Sequence, residues 1–445
     1  MALRAGFANR VAAVFATRIA TFALGLAATV GLARLLGPEG RGIYYIILLT
    51  PTLGFAIAQL GLPAAMTFFA GRGRTLASLR RVGLITAGAT SAGVLALLLA
   101  LLPYLESTVL RTAPDGPLRL MLVALPIQFA LSMTSSLLYG RQVVRNLNLI
   151  LIGQGLVALT AILVLVGAVD LGVEGAVAAY LISSALAALL LMLEVRRLGK
   201  TTTGDDAPGS AIGVREFLAY GLRLYPQNVT SFFSYRVDVF LLSLLLGDPV
   251  AIGLYSVSVN LAEIAFHVPD SVAAIFYPQV AGLSLEEAAR ATPPIGRLTM
   301  LMTIVAVLAL IPAAILGVNV VLPAFVACLP AFLVLIPGIL ALSLSKILAS
   351  YLTGVARPRP VAQAAIVALI INLSLNLVLI PRWGIVGAAA ASLGSYSAHA
   401  SMLLAVSSRL SGTRAAAFVV PTRIEVDRLI EAARSTLRRL GIGAA

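Results

Sequence analysis

The chain has 445 residues, of which 60% are hydrophobic and 11% are charged, and its mean hydropathy is +1.01. A soluble domain is about 45–50% apolar and about 25% charged, so this chain carries more apolar surface than a soluble core can bury. Composition therefore excludes a water-soluble globular protein and predicts a membrane protein. The net charge of +14 is spread between the apolar segments, which argues against a nucleic-acid partner.

Long apolar segments follow one another along the chain, and a transmembrane helix needs about 20 such residues. The predicted spans are 11–36, 42–69, 82–103, 118–140, 147–169, 173–194, 217–246, 252–281, 297–317, 325–353, 361–381 and 384–408. The first is interpreted as a span rather than a cleaved signal peptide, because the apolar stretch after Arg18 continues to Ala33. We predict an all-α polytopic membrane protein with about twelve transmembrane helices.

Two sequence patterns recur at nearly the same spacing. The segment Leu36–Tyr44 returns as Leu246–Tyr255, about 211 residues later. The pattern G-x-x-G-A-x-x-A, at Gly172–Ala179, returns at Gly384–Ala391 with an offset of 212. Two matches at one spacing predict a duplicated half. Each half holds six spans, an even number, so both share one orientation and are predicted to be related by a pseudo-two-fold axis along the membrane normal.

The longest polar stretch between spans, residues 196–215, divides the twelve spans six and six. Within it, Thr201–Ser210 has the composition of a flexible linker. We predict an N-terminal six-helix lobe at 1–195, a cytoplasmic linker at 196–215, a C-terminal six-helix lobe at 216–410 and a cytoplasmic tail at 411–445. Apolar residues recur at helical spacing between arginines from Arg423 to Leu440, which predicts an amphipathic helix on the anionic inner leaflet. Docking of that helix on a partner or on the bundle is the alternative.

The distribution of lysine and arginine predicts the orientation. With the N-terminus inside, 23 of the 32 Lys and Arg residues lie on the cytoplasmic side, five lie outside and four lie within spans. Cytoplasmic loops of membrane proteins carry such an excess. The sequence therefore predicts a multi-pass protein of the inner (plasma) membrane with both termini in the cytoplasm.

Four cations lie inside predicted spans, where an ionisable side chain costs about 2.5–3.5 kcal/mol on insertion scales and so suggests a function. They are Arg18, Arg223, Arg236 and Lys346. All but Arg236 lie six or seven residues from the cytoplasmic end of a span, about 10 Å deep at the helical rise. One interpretation is a cationic floor in a cavity open to the cytoplasm. The other is that each side chain snorkels to the inner surface.

Arg236 lies deeper in the seventh span, together with Asp238. Because the two are two residues apart, they point to different faces of the helix. One is expected to face the cavity and the other a neighbouring helix; structural bonding between helices is the alternative.

Glu263, His267 and Asp270 follow an i, i+4, i+7 pattern and therefore share one face of the eighth span. Pro269 is expected to interrupt that helix and free backbone carbonyls nearby. A proton or cation relay for ion coupling is one interpretation, because histidines and buried carboxylates shift their pKa values readily. A polar stripe packed against the seventh span is the other.

Enzyme and metal chemistry find no support in the sequence. The single cysteine, Cys328, excludes an intramolecular disulfide and a thiolate metal site. His267 and His399 are the two histidines, too few to suggest metal chemistry. The chain has no P-loop, H-E-x-x-H or G-x-S-x-G motif. We therefore predict no catalytic residues, no metal, no cofactor and no enzymatic activity.

Several motifs carry a resemblance to a known family. Leu35–Tyr44 follows the first span, Tyr235–Leu242 runs into Gly253–Val257 and Phe276–Pro278, and Ile380–Ala389 opens the last span. In this order they resemble the Wzx-type polysaccharide flippases of the MOP exporter superfamily, over nearly the whole chain from about residue 5 to 410.

The resemblance implies a V-shaped pair of six-helix lobes around a central cavity, where Arg18, Arg236 and Asp238 occupy cavity-lining positions. Members of this family move polyprenyl-diphosphate-linked oligosaccharides from the inner to the outer leaflet for cell-surface polysaccharide biosynthesis. The implied partners are that lipid-linked substrate, the bilayer and polysaccharide polymerase or assembly proteins. A monomer is expected, because one chain contains both lobes.

The physical chemistry of the cargo fits this function. A diphosphate cannot cross about 30 Å of hydrocarbon unaided, because its desolvation costs tens of kcal/mol. Arginines in a shielded cavity can replace its hydration with charge-assisted hydrogen bonds while the lobes rock in alternating access. The alternative is a cation- or proton-coupled multidrug exporter of the same fold, and the motifs favour the flippase. A membrane glycosyltransferase or ligase would need a larger outer loop with catalytic residues.

Overall fold

The computed structural model describes residues 2–201, 211–420 and 422, and all regular structure within them is helical. The α-helices are α1 (Ala2–Ala58), α2 (Leu62–Gly71), α3 (Leu76–Ser107), α4 (Asp115–Leu122), α5 (Ala124–Gly140), α6 (Val144–Ala161), α7 (Gly172–Thr201), α8 (Val214–Leu246), α9 (Pro249–Glu263), α10 (His267–Ala281), α11 (Leu285–Val321), α12 (Leu329–Gly354), α13 (Arg359–Ser411) and α14 (Ala416–Val419). A π-helical segment, Ile162–Ala168, extends α6, and 3₁₀ segments at Ile264–Phe266 and Pro323–Cys328 precede α10 and α12.

Nine helices among the described residues are long and apolar enough to cross a membrane. Two of them each overlap two predicted spans: Ala20–Ala58 in α1 overlaps 11–36 and 42–69, and Arg359–Ser411 contains 361–381 and 384–408. Helix α8 covers a predicted span that is not among the nine. The prediction of an all-α polytopic membrane protein is confirmed. The count of twelve spans and the pseudo-two-fold axis stay predictions.

The repeated glycines are the points where the chain turns between helices. Gly37 bends α1 with φ 67°, and Gly247, its counterpart in the repeat, ends α8 with φ 60°. Gly172 begins α7 with φ 54°, and its counterpart Gly384 bends α13 with φ 55°. Glycine adopts positive φ without a steric penalty, so the repeat preserves residues that the turns require.

The same repeat places two backbones in close, reciprocal contact. A Cβ atom on Gly42 would lie 1.7 Å from the carbonyl oxygen of Pro249. A Cβ atom on Gly253 would lie 1.9 Å from the carbonyl oxygen of Pro38. These four residues correspond pairwise in the repeat, so the second arm of α1 and the start of α9 contact each other through equivalent positions.

Two predicted spans are interrupted in the structure. The span at 42–69 is split between α1 and α2 by a turn, in which Leu60 and Gly61 have φ values of 47° and 69°. The span at 252–281 is split by the 3₁₀ segment Ile264–Phe266. Pro269 supplies the reason for the second interruption, because it cannot donate the helical hydrogen bond to the carbonyl four residues earlier.

The packing divides the chain into two compact units. The first comprises Met1–Phe232 and Val239–Leu254, and the second comprises Phe233–Asp238 and Tyr255–Ala445. The first has an apolar core that includes Leu62, Leu79, Phe129 and Phe217. The core of the second includes Phe276, Leu348, Tyr351, Leu403 and Phe418. The lobe boundaries taken from the repeat, at 1–195 and 216–410, stay a prediction.

The linker and tail are described only in part. Residues 202–210, most of the predicted flexible linker, and residues 423–445, with the predicted amphipathic helix, lie outside the described residues. The first part of the tail is folded onto the second unit, where Phe418 of α14 is fully buried. Arg297 of α11 donates a hydrogen bond of 2.5 Å to the carbonyl oxygen of Ala417. This contact anchors the described start of the tail at the end of the bundle.

Candidate functional site

Arg236 and Glu263 form an ion pair between α8 and α9 in the second unit. The Arg236 Nη2 atom lies 3.2 Å from Glu263 Oε1 and donates to Glu263 Oε2 at 3.3 Å. The two side chains are 25% and 32% exposed, so each keeps one accessible edge. Pairing lowers the cost of holding either charge in a membrane helix.

A second pair joins α10 to α12. Lys346 donates a hydrogen bond to Asp270, and its ammonium nitrogen lies 4.8 Å from the centre of the Phe266 ring. The lysine side chain is 24% exposed and the aspartate 52%. The ammonium therefore contacts both a carboxylate and an aromatic ring, two groups that attract a cation.

Asp238 is buried, with 4% of its surface exposed. Its Oδ2 atom accepts hydrogen bonds from the hydroxyl groups of Tyr255 and Ser392, the latter at 3.3 Å. Beyond Ser392, the Asn372 amide donates to the serine at 3.5 Å and accepts from Asn376 at 2.9 Å. Tyr255 lies on α9, and the other three lie on both arms of α13. This network therefore joins three helices inside the second unit.

The three residues of the predicted relay point toward different partners. Glu263 contacts Arg236 of the seventh predicted span, and Asp270 contacts Lys346 of the tenth. His267, at the start of α10, is exposed. The 3₁₀ turn between Glu263 and His267 changes the helical register, which separates residues that an uninterrupted helix would align. Ion coupling through these residues stays a prediction.

The remaining predicted cations belong to the first unit. Arg223 is exposed on α8, and Arg18 lies on α1 with its side chain outside the described part of the structure. The structure thus brings together Arg236 with Glu263 and Lys346 with Asp270, while Asp238 has a separate, buried environment. The prediction that Arg18, Arg223, Arg236, Asp238 and Lys346 share one substrate cavity stays a prediction.

Sequence reasoning missed several buried polar residues. Tyr255 ends one repeated pattern and Ser392 follows another, but neither pattern predicts that these hydroxyl groups donate to Asp238. Asn372 and Asn376 lie four residues apart within a predicted span. Because side-chain amides in lipid need hydrogen-bond partners, this spacing could have indicated a buried polar network. Arg41 is one of the five Lys and Arg residues predicted to lie on the outer side, and the structure buries it to 4% exposure.

Comparison with known proteins defines the class of this fold. The structure is similar to an inward-facing multidrug resistance MATE family transporter of the MOP superfamily, with TM-score 0.69, 14% identity, and coverage of 88% of this chain and 95% of that one. It is similar to the lipid II flippase MurJ in an inward closed conformation, with TM-score 0.67, 14% identity, and coverage of 88% and 87%. An outward-facing MATE family transporter gives TM-score 0.65, 15% identity, and coverage of 90% and 96%.

These structures share their fold with this chain, which confirms the resemblance to the MOP superfamily. The sequence at residues 8–278 matches the family described as polysaccharide biosynthesis protein. No curated protein matches the sequence. The match covers more than half of the chain, so the chain belongs to the polysaccharide biosynthesis protein family. It is a multi-pass membrane protein of this family with the fold of MOP-superfamily transporters.

Proposed function

We propose that the protein is a flippase that moves a polyprenyl-diphosphate-linked oligosaccharide from the inner to the outer leaflet for cell-surface polysaccharide biosynthesis. The observation that carries this proposal is the polysaccharide biosynthesis family match on a transporter fold. One of the structures with this fold is named as a flippase of a lipid, lipid II. A family that serves polysaccharide biosynthesis and has a transporter fold fits the transfer of lipid-linked sugars between leaflets.

The ion pairs suggest how the headgroup is held. Arg236 and Lys346 are each paired with one carboxylate and remain about one quarter exposed. A diphosphate carries more charge than a carboxylate and can bind the Arg236 guanidinium through two parallel hydrogen bonds. We propose that the headgroup displaces Glu263 and Asp270 from their cations. The carboxylates thus keep the cations in place, without a large desolvation penalty, until the substrate arrives.

The displaced carboxylates offer a route to ion coupling. Once the diphosphate engages its cation, Glu263 or Asp270 loses its partner charge, and the freed carboxylate can bind a proton or an incoming cation instead. Proton or cation coupling through these residues and His267 is part of the proposal. Replacing Glu263 with Gln should then make export independent of the ion gradient; unchanged dependence would remove Glu263 from the coupling.

Two further arginines complete the proposed binding set. Arg18 and Arg223 are predicted to lie at the cytoplasmic ends of their spans, where they would attract the diphosphate before it reaches Arg236. A negative cytoplasm favours outward movement of an anion by about 2.3 kcal/mol per charge per 100 mV. Charge reversal at Arg18 or Arg236 should abolish export while leaving the protein in the membrane. Full activity of both variants would contradict a cationic binding site.

The alternative is a cation- or proton-coupled multidrug exporter. Two of the similar structures are multidrug resistance transporters, and a shared fold at 14–15% identity does not separate the two cargoes. The family match favours the polysaccharide pathway. In the part of the chain that the structure describes, each carboxylate in the two ion pairs is matched by a cation, whereas a site for cationic drugs would need acidic groups in excess.

The decisive experiment uses a deletion strain. Its lipids are extracted and polyprenyl-linked species are weighed by mass spectrometry, while surface polysaccharide and efflux of a cationic dye are assayed in parallel. We expect diphosphate-linked oligosaccharide to accumulate, surface polysaccharide to disappear and dye efflux to stay normal, and the wild-type chain to reverse the first two changes. Unchanged lipid intermediates together with lost dye efflux would reverse the assignment.

A further inference from the structure

Arg41, in the second arm of α1, is a buried cation without an acidic partner among the described residues. Only 4% of its surface is exposed, and its Nε atom has no hydrogen-bond partner. Its guanidinium carbon lies 5.8 Å from the ring centres of both Tyr44 and Tyr45, each almost fully buried. Two aromatic faces attract a cation, but N–H···π contacts are weaker than the hydrogen bonds that a carboxylate or phosphate oxygen accepts from a guanidinium.

A buried charge of this kind is costly, because ions buried in proteins are normally paired and hydrogen-bonded. Arg236 and Lys346 obey that rule through Glu263 and Asp270. Arg41 departs from it, so its guanidinium keeps the capacity to bind an anion. The planar guanidinium can bind a phosphate or diphosphate through two parallel hydrogen bonds, whereas a lysine ammonium acts only as a compact charge.

The turn of α1 that carries Arg41 contacts the start of α9. Pro38 and Gly42, three residues before Arg41 and one after it, are the two α1 positions that meet Gly253 and Pro249 at backbone distance. Both sides of this contact belong to the first unit. Separating α9 from α1 would therefore expose the face of α1 on which Pro38 and Gly42 lie, in the same helical turn as Arg41. The lysine and arginine distribution predicts that this end of α1 faces outward.

We propose that Arg41 is an anion-binding residue that takes the diphosphate headgroup on the outer side when the contact between α1 and α9 opens. This inference rests on the proposed flippase function and adds a second anion site to it, distinct from the paired cations of the second unit. Arg41 receives the headgroup after Arg236 and Lys346 release it. The carboxylates then return to their cations, and the headgroup leaves to the outer leaflet.

Charge rescue tests the inference in the complete protein. Cys328, the single cysteine, is fully buried and is replaced by Ala to give a background without thiols. Arg41→Cys is then treated, in cells that are exporting, with methanethiosulfonate reagents that attach an aminoethyl, a propyl or a sulfonatoethyl group. We expect Arg41→Cys to reduce export about tenfold or more, and the cationic group alone to restore it to within about threefold.

Arg119→Cys is the matched control. Arg119 is also predicted to lie on the outer side, but its side chain is 62% exposed and already has Asp115 at 3.7 Å and Glu106 at 4.0 Å. All three reagents should modify it without changing export. Restoration of Arg41→Cys by the propyl group, full activity of the unmodified variant, or failure of any reagent to reach position 41 would each overturn the inference.

A binding measurement separates this inference from the proposed function. The purified full-length protein is titrated with inorganic pyrophosphate by calorimetry at constant ionic strength, as wild type, Arg41→Gln and Arg119→Gln. We expect only Arg41→Gln to lose affinity, about tenfold or more, and polyprenyl diphosphate to compete with pyrophosphate. If the wild-type chain does not restore surface polysaccharide to the deletion strain, the flippase function fails, and this titration still decides on Arg41. Equal affinity of the three proteins, or no binding, overturns the anion site.

Discussion

At the scale of single residues, two carboxylates and two cations of the second unit are combined into two ion pairs. Arg236 with Glu263 and Lys346 with Asp270 each combine opposite charges from different helices. Asp238 is instead held by hydroxyl donors from Tyr255 and Ser392. A membrane helix tolerates such groups because their partners replace the water that lipid cannot provide.

Exchanging the charges of the first pair separates a structural role from a substrate-binding role. The double variant Arg236→Glu, Glu263→Arg keeps an ion pair between the same helices, so its level in the membrane should match wild type. Export should stay reduced about tenfold or more, because the cation no longer occupies the position that binds the diphosphate. Surface polysaccharide and membrane protein level are measured together. Recovery of export in the double variant would assign the pair a structural role alone.

Removing one donor from Asp238 should destabilise the second unit. In Tyr255→Phe the buried carboxylate loses a hydrogen bond, at a cost of about 1–3 kcal/mol. Thermal unfolding of the purified protein measures the change. Tyr277→Phe is the control, because Tyr277 is 46% exposed on α10 of the same unit and can exchange its hydrogen bonds with solvent. Equal unfolding temperatures for the two variants would show that Asp238 does not depend on Tyr255.

At the scale of helices, glycines decide where the chain bends and where backbones meet. Gly37 and Gly384 have positive φ at the bends of α1 and α13. Gly387, three residues after the second bend, would place a Cβ atom 2.2 Å from the carbonyl oxygen of Leu379. The pattern G-x-x-G-A-x-x-A therefore combines a turn residue with a residue that allows the two arms of one hairpin to approach closely.

The contact between α1 and α9 should be sensitive to a single methyl group. Gly42→Ala places a Cβ atom 1.7 Å from the Pro249 carbonyl oxygen, so the two helices must separate. We expect a loss of roughly 1–3 kcal/mol of stability, the usual cost of overpacking. Gly25→Ala in the same helix is the control, because nothing lies within 4 Å of its Cβ position. Thermal unfolding of both variants is compared with wild type, and equal stability of Gly42→Ala would contradict the contact.

At the scale of the whole molecule, the fold is that of MOP-superfamily transporters, while the family match connects the chain to polysaccharide biosynthesis. The fold indicates a transporter architecture but not its cargo, because one architecture serves several cargoes; the family match is what indicates the pathway. The orientation in the membrane is a prediction from the distribution of lysine and arginine, and it decides which end of each helix would face the substrate. The predicted direction of transport depends on that orientation.

Labelling of introduced thiols measures the orientation. In the Cys328→Ala background, Ser107→Cys should react with a membrane-impermeant maleimide in intact cells, because it follows a span predicted to end outside. Ala415→Cys should react only after permeabilisation, because the excess of positive charge predicts a cytoplasmic tail. Both positions are exposed in the structure, so accessibility to the reagent depends on the membrane side alone. Labelling of Ala415→Cys in intact cells would reverse the orientation and the predicted direction of transport.

The sequence by itself determined that this is an all-α membrane protein, because hydropathy over about 20 residues depends only on local composition. It also located the turn glycines, because a repeat at one spacing is visible without a structure. Only the tertiary structure decided the partners: Arg236 and Glu263 are 27 residues apart in sequence, Asp270 and Lys346 are 76 apart, and Asp238 and Ser392 are 154 apart. Packing between helices brings these distant residues together, and no local sequence pattern predicts which face of one helix packs against which face of another. The burial of Arg41 has the same origin, because α1 alone would leave it exposed.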